Sequence, residues 1–314
     1  MNYDAAYDRY CTDWLTVEDF RRRNFVYKHL LSLPYQWSKQ YYAKRAIQLL
    51  SAEKDFPTLH ENGNPDIVVS LTTFPFRMSS LHLVIKSLLK QEMLPGKIFV
   101  CLSKEEFPGG FDDLSGELKA LAPFGVEFDF MPGNIRSYKK FFTAFQQFPD
   151  KIVITVDDDF LYPKNTISRL MRLHRMFPSS VCANRVWVVT MKDGKFAPSK
   201  KWKRLVPEQD AESKIYMGIG FGGILYPPHV YDDTIFDVDA FQRLTPHNDD
   251  LWLKAVQLKN GIKVAVAKGF FVHPIGLSPT QKVSLNHTNE GQKMNDVQWR
   301  QLDEQFGLLK ILEA

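Results

Sequence analysis

The sequence predicts an α/β protein with a mainly parallel sheet flanked by helices and a helical extension at its N-terminus. Between residues 66 and 156, apolar strand-like runs alternate with helical patterns, which is typical of parallel sheets. Residues 1–60 lack this rhythm and are instead basic and aromatic. The 314 residues, 44% hydrophobic and 24% charged, are enough for one large domain with an appendage.

The predicted elements follow one another in a regular order. We predict strands at 66–73, 97–103, 126–132 and 151–156, and helices at 79–91, 114–124 and 137–148. The helix at 79–91 has the clearest pattern, because its apolar residues recur at helical spacing. In parallel sheets of this kind, ligands bind beyond the carboxyl ends of the strands.

The N-terminal segment differs from the rest in charge. The polar run "ENGNPD" at 61–66 predicts a boundary between an extension at 1–63 and a main domain at 64–314. Between Phe20 and Ser51 there are seven basic residues, no acidic ones and several aromatics. Such a segment either packs on the main domain with its lysines in solvent or contacts an anionic membrane surface, and the sequence leaves both open.

Composition excludes several classes of protein. The net charge of +4 is too small to predict a nucleic-acid partner. The three cysteines are far apart, which argues against a disulfide framework or a structural zinc site. No run reaches the ~18 apolar residues of a membrane span, and the N-terminus lacks the order of a signal peptide. We therefore expect a cytoplasmic protein, at the inner face of the cell membrane if residues 20–51 bind lipid.

Three consecutive carboxylates follow the last predicted strand, in "VITVDDDFLYP" at 153–163. Asp157, Asp158 and Asp159 could form a polar turn, hold a hard cation, or supply an acid–base pair. Alternation along an extended chain would put Asp157 and Asp159 on one face and Asp158 elsewhere. We favour the cation, because Mg²⁺ or Mn²⁺ takes its other ligands from water and substrate phosphates. That preference predicts a nucleotide-diphosphate ligand.

A second acidic pair, Asp249 and Asp250, precedes the helical pattern "LWLKAVQL". Aspartate is favoured at a helix start as a cap and by the helix dipole, so a structural role is a serious alternative to a catalytic one.

The run "VDDDFLYP" resembles the DxD motif of GT-A-fold glycosyltransferases. In the same order along residues 66–300, "VSLTTFPFRMSSLHLVIKSLLKQ", "SYKKFFTAFQQFPDKIVITVDDDFLYP", "CANRVW" and "GIGFGGILYPP" resemble bacterial polysaccharide glycosyltransferases of that fold, family 2-like. The resemblance implies a GT-A-like sheet and metal-dependent, inverting sugar transfer. The implied donor is a nucleotide-diphosphate sugar, first of all a UDP-sugar, with Mn²⁺ or Mg²⁺. The implied acceptor is a hydroxyl of a glycan or a lipid-linked saccharide.

The resemblance also implies roles for single residues on the donor side. Thr73 would contact the base or ribose and Arg77 the phosphates. Either Lys139 or Lys140 would neutralise the diphosphate, with Lys140 preferred and the other expected in solvent because the two point about 100° apart on a helix. The further implied roles are Asp157 at the ribose or a metal-bound water, Asp158 at the variable position, Asp159 on the metal, and Arg185 at the donor phosphate or sugar.

On the acceptor side, Asp249 or Asp250 would be the general base, with Asp250 preferred. His273 would be an extra metal ligand, with His287 as its rival. The glycines of "GIGFGG" are expected to approach a sugar closely and not to bind a dinucleotide, because no helix follows them.

Two other classes stay open. A metal-dependent nucleotidyltransferase would use the same carboxylates, although "LTTFPFR" lacks the usual phosphate-loop glycines. A non-catalytic carbohydrate-binding protein of the same fold would not need two intact acidic clusters.

Overall fold

The computed structural model describes residues 1–21, 26, 30–277 and 294–313. The strands are β1 (Asn64–Thr72), β2 (Pro95–Ser103), β3 (Val126–Met131), β4 (Ile152–Thr155), β5 (Phe160–Leu161), β6 (Val181–Ala183), β7 (Val186–Val188), β8 (Met191–Lys192), β9 (Lys195–Phe196), β10 (Lys203–Arg204), β11 (Ala211–Ser213), β12 (Tyr216–Gly218), β13 (Ile224–Tyr226), β14 (Val264–Val266) and β15 (Ile275–Gly276). The α-helices of the described residues are α1 (Tyr3–Arg21), α2 (Leu33–Ala52), α3 (Leu59–Asn62), α4 (Met78–Leu88), α5 (Gly116–Lys119), α6 (Lys139–Gln147), α7 (Thr166–Met176), α8 (Val238–Leu244), α9 (Asp249–Lys259), α10 (Met294–Phe306) and α11 (Leu308–Glu313).

The described residues form a central eight-stranded sheet in the order β11-β14-β6-β13-β4-β1-β2-β3. Strand β1 pairs in parallel with β2 and β4, β2 with β3, and β6 with β14. Strand β13 is antiparallel to both β4 and β6, so β6 and β14 run in the same direction as β4. Within this sheet β13 and β11 are therefore the reversed strands. This confirms the predicted α/β fold with a mainly parallel sheet.

The direction in which strands are added reverses between β1 and β4. The chain passes from β1 to β2 to β3 along one side, and α6 then returns it to β4 on the other side of β1. Such a reversal opens a crevice at the carboxyl ends of the two strands. Residues 73–77 follow β1 and residues 157–159 follow β4, so both segments lie at this crevice.

Helices cover both faces of the sheet, which explains why its central strands are largely apolar. In β14, Val264 and Val266 join the core beneath α8, α9 and α10, whereas Ala265 joins the core on the other face. That second core includes buried residues of α1, α4 and α7.

The N-terminal helices pack on the sheet domain. The Tyr7 hydroxyl donates to the Leu161 carbonyl (2.6 Å), and the Tyr10 hydroxyl donates to the His273 carbonyl (2.8 Å). Trp14 packs edge-on against Phe270 at a centroid distance of 6.1 Å. The predicted helical extension is thus confirmed as helices, and it shares one core with the sheet domain. The boundary at residue 63 stays a prediction.

Part of the basic segment at 20–51 lies outside the described residues, namely 22–25 and 27–29. Pro34 lies in the first turn of α2, where its missing N–H has no helical partner to lose. Among the described helices, none has both the length and the apolar character needed to cross a membrane.

The helix predicted at 114–124 is wrong in extent. Only Gly116–Lys119 is α-helical, and a 3₁₀ turn at Ala122–Phe124 follows. Pro123 has no N–H for a helical hydrogen bond, and Gly125 adopts the left-handed conformation (φ 96°), so the chain leaves the helix and enters β3.

Candidate functional site

A cleft of about 420 Å³ opens where the strand order reverses. It brings together two acidic clusters that are far apart in the sequence, one after β4 and one at the start of α9. The charged residues that line it are Asp157, Asp158, Asp159, Asp249, Asp250, Arg77, Lys140 and Arg185. Most of the side chains predicted for the site therefore share one cleft.

Arg77 binds two of the three consecutive carboxylates. Its Nη1 lies 2.7 Å from Asp158 Oδ1 and 3.3 Å from Asp159 Oδ2. The alternation expected for an extended chain does not hold here, because residues 158 and 159 form a turn. The idea that Asp158 points away from its neighbours is therefore wrong. Asp157 contacts a different basic residue, Lys140.

Thr73 is buried, and its hydroxyl donates to Asp158 Oδ2 (2.5 Å). The hydroxyl expected at a base or ribose thus holds a carboxylate instead, and the neighbouring Thr72 lines the cleft.

Lys140 joins the two acidic clusters. Its Nζ lies 2.8 Å from Asp157 Oδ1 and 2.9 Å from Asp249 Oδ2. Burial alone lowers the pKa of Lys140, but Asp157, Asp249 and Asp250 together hold that pKa well above its ordinary value. Lys140 is therefore charged, and it couples the carboxylates that follow β4 to those that begin α9.

Lys139 lies outside the cleft. Both lysines are buried, so the expectation that one of them is in solvent is wrong. Lys139 Nζ lies 2.9 Å from Glu106 Oε2 and donates to Asn134 Oδ1 at 3.1 Å. Two side chains about 100° apart on α6 can both be buried because the helix start is enclosed on two sides. The structure brings Lys140, and not Lys139, to the predicted site.

The capping role at the start of α9 belongs to Asn248. Its side-chain oxygen accepts a hydrogen bond from the Leu251 N–H (3.1 Å), which is the usual N-cap contact. Capping therefore does not account for Asp249 and Asp250. Asp250 Oδ2 accepts from the Gly220 N–H (3.2 Å), while its Oδ1 is buried with no hydrogen-bond partner in the described part of the chain.

The acidic cluster is packed against the backbone of Gly220, where a side chain would be tightly placed. A Cβ at this position would lie 3.2 Å from Asp250 Oδ1 and 3.3 Å from both Asp157 Oδ1 and Lys140 Nζ. A short 3₁₀ turn (Gly220–Gly222) and then strand β13 follow, and no α-helix opens there, as predicted. The close backbone approach is to protein carboxylates, and contact with a sugar stays a prediction.

Two carboxyl groups in the cleft have strongly raised pKa values. Burial, and next the charge of Asp157, raise the pKa of Asp159 to about 7. Burial, and next the charge of Asp249, raise the pKa of Asp250 to about 7. Burial also raises the pKa of Asp158, against the opposing effect of Arg77. Perturbed carboxyl groups in a cleft are typical of functional sites.

Arg185 has no ion-pair partner among the described residues. Its guanidinium lies over the Phe221 ring at 4.6 Å, and burial lowers its pKa to about 10. Within the described ranges, no carboxylate lies within salt-bridge distance of Arg185. An anionic group in the cleft could therefore bind Arg185 without displacing a carboxylate.

His273 lines the same cleft. Its ring contacts Phe221 at 4.7 Å and Phe160 at 5.6 Å between centroids, and its Nδ1 lies 2.8 Å from the Pro274 carbonyl oxygen. Burial lowers its pKa, so the ring is neutral at pH 7, as a metal ligand must be. Its rival His287 lies outside the described residues.

The charge balance of the cleft is compatible with a divalent cation. Five carboxylates and three basic side chains line it, which leaves two excess negative charges when all are ionised. In the described ranges, no three His, Cys, Asp or Glu side chains are gathered as a preformed metal cage. Mg²⁺ and Mn²⁺ do not need one when substrate phosphates and water complete the ligand set. Asp157 and Asp159 could supply one or two carboxylate ligands of this kind, so a metal ion here stays a prediction.

Sequence reasoning missed the aromatic wall of the cleft. The further lining residues include Trp187 of β7, Trp202, Met217 of β12, His247 and Asn295. The three-stranded sheet β10-β7-β12 positions the first of these. The quoted "CANRVW" contains Trp187, but nothing local indicates that it faces the same space as the aspartates.

Comparisons with known proteins do not assign this chain to a family. No family model matches it, and no curated protein matches it. A solved structure, "Crystal structure of 4-diphosphocytidyl-2C-methyl-D-erythritol synthase", is similar with a TM-score of 0.41 and 11% sequence identity. The similarity covers 69% of this chain and 94% of that chain. A likeness this weak carries no argument about the chemistry of the present cleft.

Proposed function

We propose that this chain is a metal-dependent, inverting glycosyltransferase of GT-A type. It would move a sugar from a nucleotide-diphosphate sugar to a hydroxyl of a glycan or lipid-linked saccharide. A UDP-sugar is the first candidate for the donor. The observation that carries the proposal is the union of both acidic clusters with Lys140 and Arg185 in one cleft at the strand reversal. In the same proposal, residues 64–314 are the transferase domain and 1–63 its extension.

On the donor side, the cleft offers both signs of charge that a metal–diphosphate complex needs. Asp159 and Asp157 would hold Mn²⁺ or Mg²⁺, with His273 as a further candidate ligand, and the ion would neutralise charge on the leaving diphosphate. Arg185 would bind the phosphates, because no carboxylate of the described ranges lies within salt-bridge distance of it. Arg77 would hold Asp158 and Asp159 in place.

On the acceptor side, Asp250 suits a general base better than Asp249. Asp249 lies 2.9 Å from Lys140 and is held by it in an ion pair. Asp250 has a pKa raised to about 7 by burial, near the pH at which it would act, and one oxygen free of hydrogen bonds within the described structure. The Gly220 N–H holds the other oxygen. Asp250 would take the acceptor hydroxyl proton as the oxygen attacks the anomeric carbon from the far face.

The aromatic wall gives a sugar ring a surface to pack on. Trp187 and Trp202 line the cleft beside the carboxylates. Indole rings bury a large apolar area. The Trp202 N–H already donates to the Ala197 carbonyl (3.0 Å), which holds that ring in place. An acceptor saccharide would lie against this wall with its hydroxyl toward Asp250.

The test is donor turnover with product identification. UDP-, GDP- and CMP-sugars are incubated with the protein in Mn²⁺ and in chelator. We expect slow release of UDP in Mn²⁺ and none in chelator, and inversion of the anomeric configuration in the transfer product by NMR. Release of pyrophosphate from a nucleoside triphosphate would indicate a nucleotidyltransferase instead. Tight saccharide binding without turnover of any donor would indicate a binding protein.

A further inference from the structure

Helix α2 carries an apolar face that nothing in the described structure covers. Trp37 is 69% exposed, Tyr41 59% and Leu33 37%. Leu30 and Leu31, just before the helix, are 60% and 47% exposed. Single exposed apolar residues are ordinary, but a contiguous group of large ones marks an interaction surface.

These side chains lie on one side of the helix. At roughly 100° per residue, Leu33, Trp37, Tyr41 and Lys44 fall within an arc of about 80°. Ala46 and Leu50, which are fully buried, lie on the opposite side. Helix α2 therefore has one apolar side in the core and another in solvent. We call the group Leu30, Leu31, Leu33, Trp37, Tyr41 and Lys44 the α2 outer face.

The charged residues that α2 itself carries are all basic. Lys44 is exposed on it, and Lys39 and Arg45 lie on the same helix. From Phe20 to Ala52 the sequence contains no aspartate or glutamate. A surface of Trp, Tyr and Leu with only basic charges complements an anionic lipid headgroup layer, because the aromatic rings occupy the interface and the lysines approach the phosphates.

We propose that the α2 outer face binds the surface of an anionic lipid bilayer. Leu30, Leu33, Trp37 and Tyr41 enter the headgroup layer, and Lys44 with its basic neighbours contacts lipid phosphates. A protein partner or a second copy of the chain would fit the apolar residues, but neither explains why acidic residues are missing throughout the segment.

The α2 outer face belongs to a helix that lies beside the cleft. Among the positive charges that affect His273, a cleft residue, is that of Lys39 on α2. Tyr10 of α1, which packs on α2, donates to the His273 carbonyl. Lys39 lies on the opposite side of α2 from the outer face, about 160° around the helix axis, so these contacts place the helix, and not its outer face, beside the cleft. If the proposed function holds, the bilayer contact favours an acceptor saccharide attached to a membrane lipid. The bilayer contact itself does not rest on that function.

The test is flotation of the full chain with vesicles, without donor or metal. Vesicles of phosphatidylcholine alone are compared with vesicles of equal parts phosphatidylcholine and phosphatidylglycerol, at low and at high salt. We expect binding to the anionic vesicles that weakens with salt, because surface electrostatics are screened. The double variant Trp37→Ser/Tyr41→Ser should lower the partition coefficient roughly ten-fold or more. Lys44→Gln should lower it about five-fold.

Two matched controls separate this face from the rest of the surface. Met176→Ser removes an apolar side chain of similar exposure from α7, and Lys151→Gln removes a lysine beside β4. Both should bind vesicles as the unchanged chain does. The proposal is overturned if the full chain ignores anionic vesicles at low salt, or if the double variant binds them normally. A dimer in sedimentation that the double variant dissociates, without vesicle binding, would assign the face to a second copy. Neither result would affect the donor-turnover test.

Discussion

At the scale of single residues, Lys140 determines the electrostatics of the cleft. It contacts Asp157 after β4 and Asp249 at the start of α9, so one charge stabilises carboxylates from both clusters. Among the described residues, no lysine lies within salt-bridge distance of Asp250, although the charge of Lys140 still acts to lower its pKa. The two aspartates at the start of α9 are therefore not equivalent, although the sequence places them side by side.

The first prediction separates these two aspartates. Asp250→Asn should lower transfer by roughly 10²–10⁴-fold, the usual contribution of a general base, and leave donor binding in Mn²⁺ unchanged. Asp249→Asn should have a smaller effect, because Lys140 keeps Asp157 as its partner. Steady-state transfer rates and calorimetric donor binding give the two readouts. Asp150→Asn, an exposed aspartate paired with His229, is the control. Normal transfer by both cleft variants would remove them from the mechanism.

The second prediction concerns pH and stability. The folded-state pKa of Asp250, about 7, is above the ordinary value of 3.8, so the folded chain holds a proton that the unfolded chain has lost. The associated stability is present below about pH 4 and is lost as pH rises to about 7. In Asp250→Asn this loss is absent, so its melting temperature should fall less between pH 5 and pH 8 than that of the unchanged chain. Thermal unfolding across this range measures the difference, and parallel curves would contradict it.

At the scale of elements, α1 packs against segments that border the cleft. Tyr7 donates to the carbonyl of Leu161 in β5, and Tyr10 donates to the carbonyl of His273, which shortly precedes the paired strand β15. The Trp14 ring is buried against Phe270, with the Arg204 guanidinium 5.6 Å from its centroid. The extension thus stabilises the segments that carry His273 and the end of the acidic turn.

The third prediction tests whether α1 is part of the fold. Trp14→Ala should lower the free energy of unfolding by about 3–5 kcal/mol, as loss of a buried tryptophan does. Leu15→Ala, at an exposed position of the same helix, should change it by less than about 0.5 kcal/mol. Urea unfolding of both variants gives the comparison. A loss below about 1 kcal/mol for Trp14→Ala would make α1 a peripheral arm.

Elements with a strong local pattern could be predicted from the sequence, and those set by distant contacts could not. Helix α4 and strands β1 to β4 were predictable because their apolar residues are spaced for burial. The short helix α5 was not, because Pro123 and the turn at Gly125 outweigh its helical pattern. The cap of α9 is Asn248 and not an aspartate, because the Asn248 side-chain oxygen is oriented to accept from the Leu251 N–H. The sequence alone does not reveal this orientation.

At the scale of the whole molecule, the site depends on strand order, which local patterns do not contain. The acidic turn after β4 was recognisable, but its partners come from β1, α6 and α9, brought together by pairings between distant segments. Lys139 and Lys140 show the limit of the sequence argument, because neighbours with the same chemistry lie in different environments. The positions of Trp187 and Trp202 in the cleft wall depend on the small sheet β10-β7-β12, which the sequence patterns did not predict.

The central claim is that this cleft binds a metal and a nucleoside diphosphate together, and calorimetric titration of UDP with and without Mn²⁺ tests it most directly. We predict UDP binding in Mn²⁺, little in chelator, and strong weakening in Asp159→Asn and Arg185→Gln. Arg169→Gln should bind UDP normally, since Arg169 also lies over a phenylalanine ring, Phe271, but does not line the cleft. Equal UDP binding in chelator and in Mn²⁺, or full binding by Asp159→Asn and Arg185→Gln, would contradict the account.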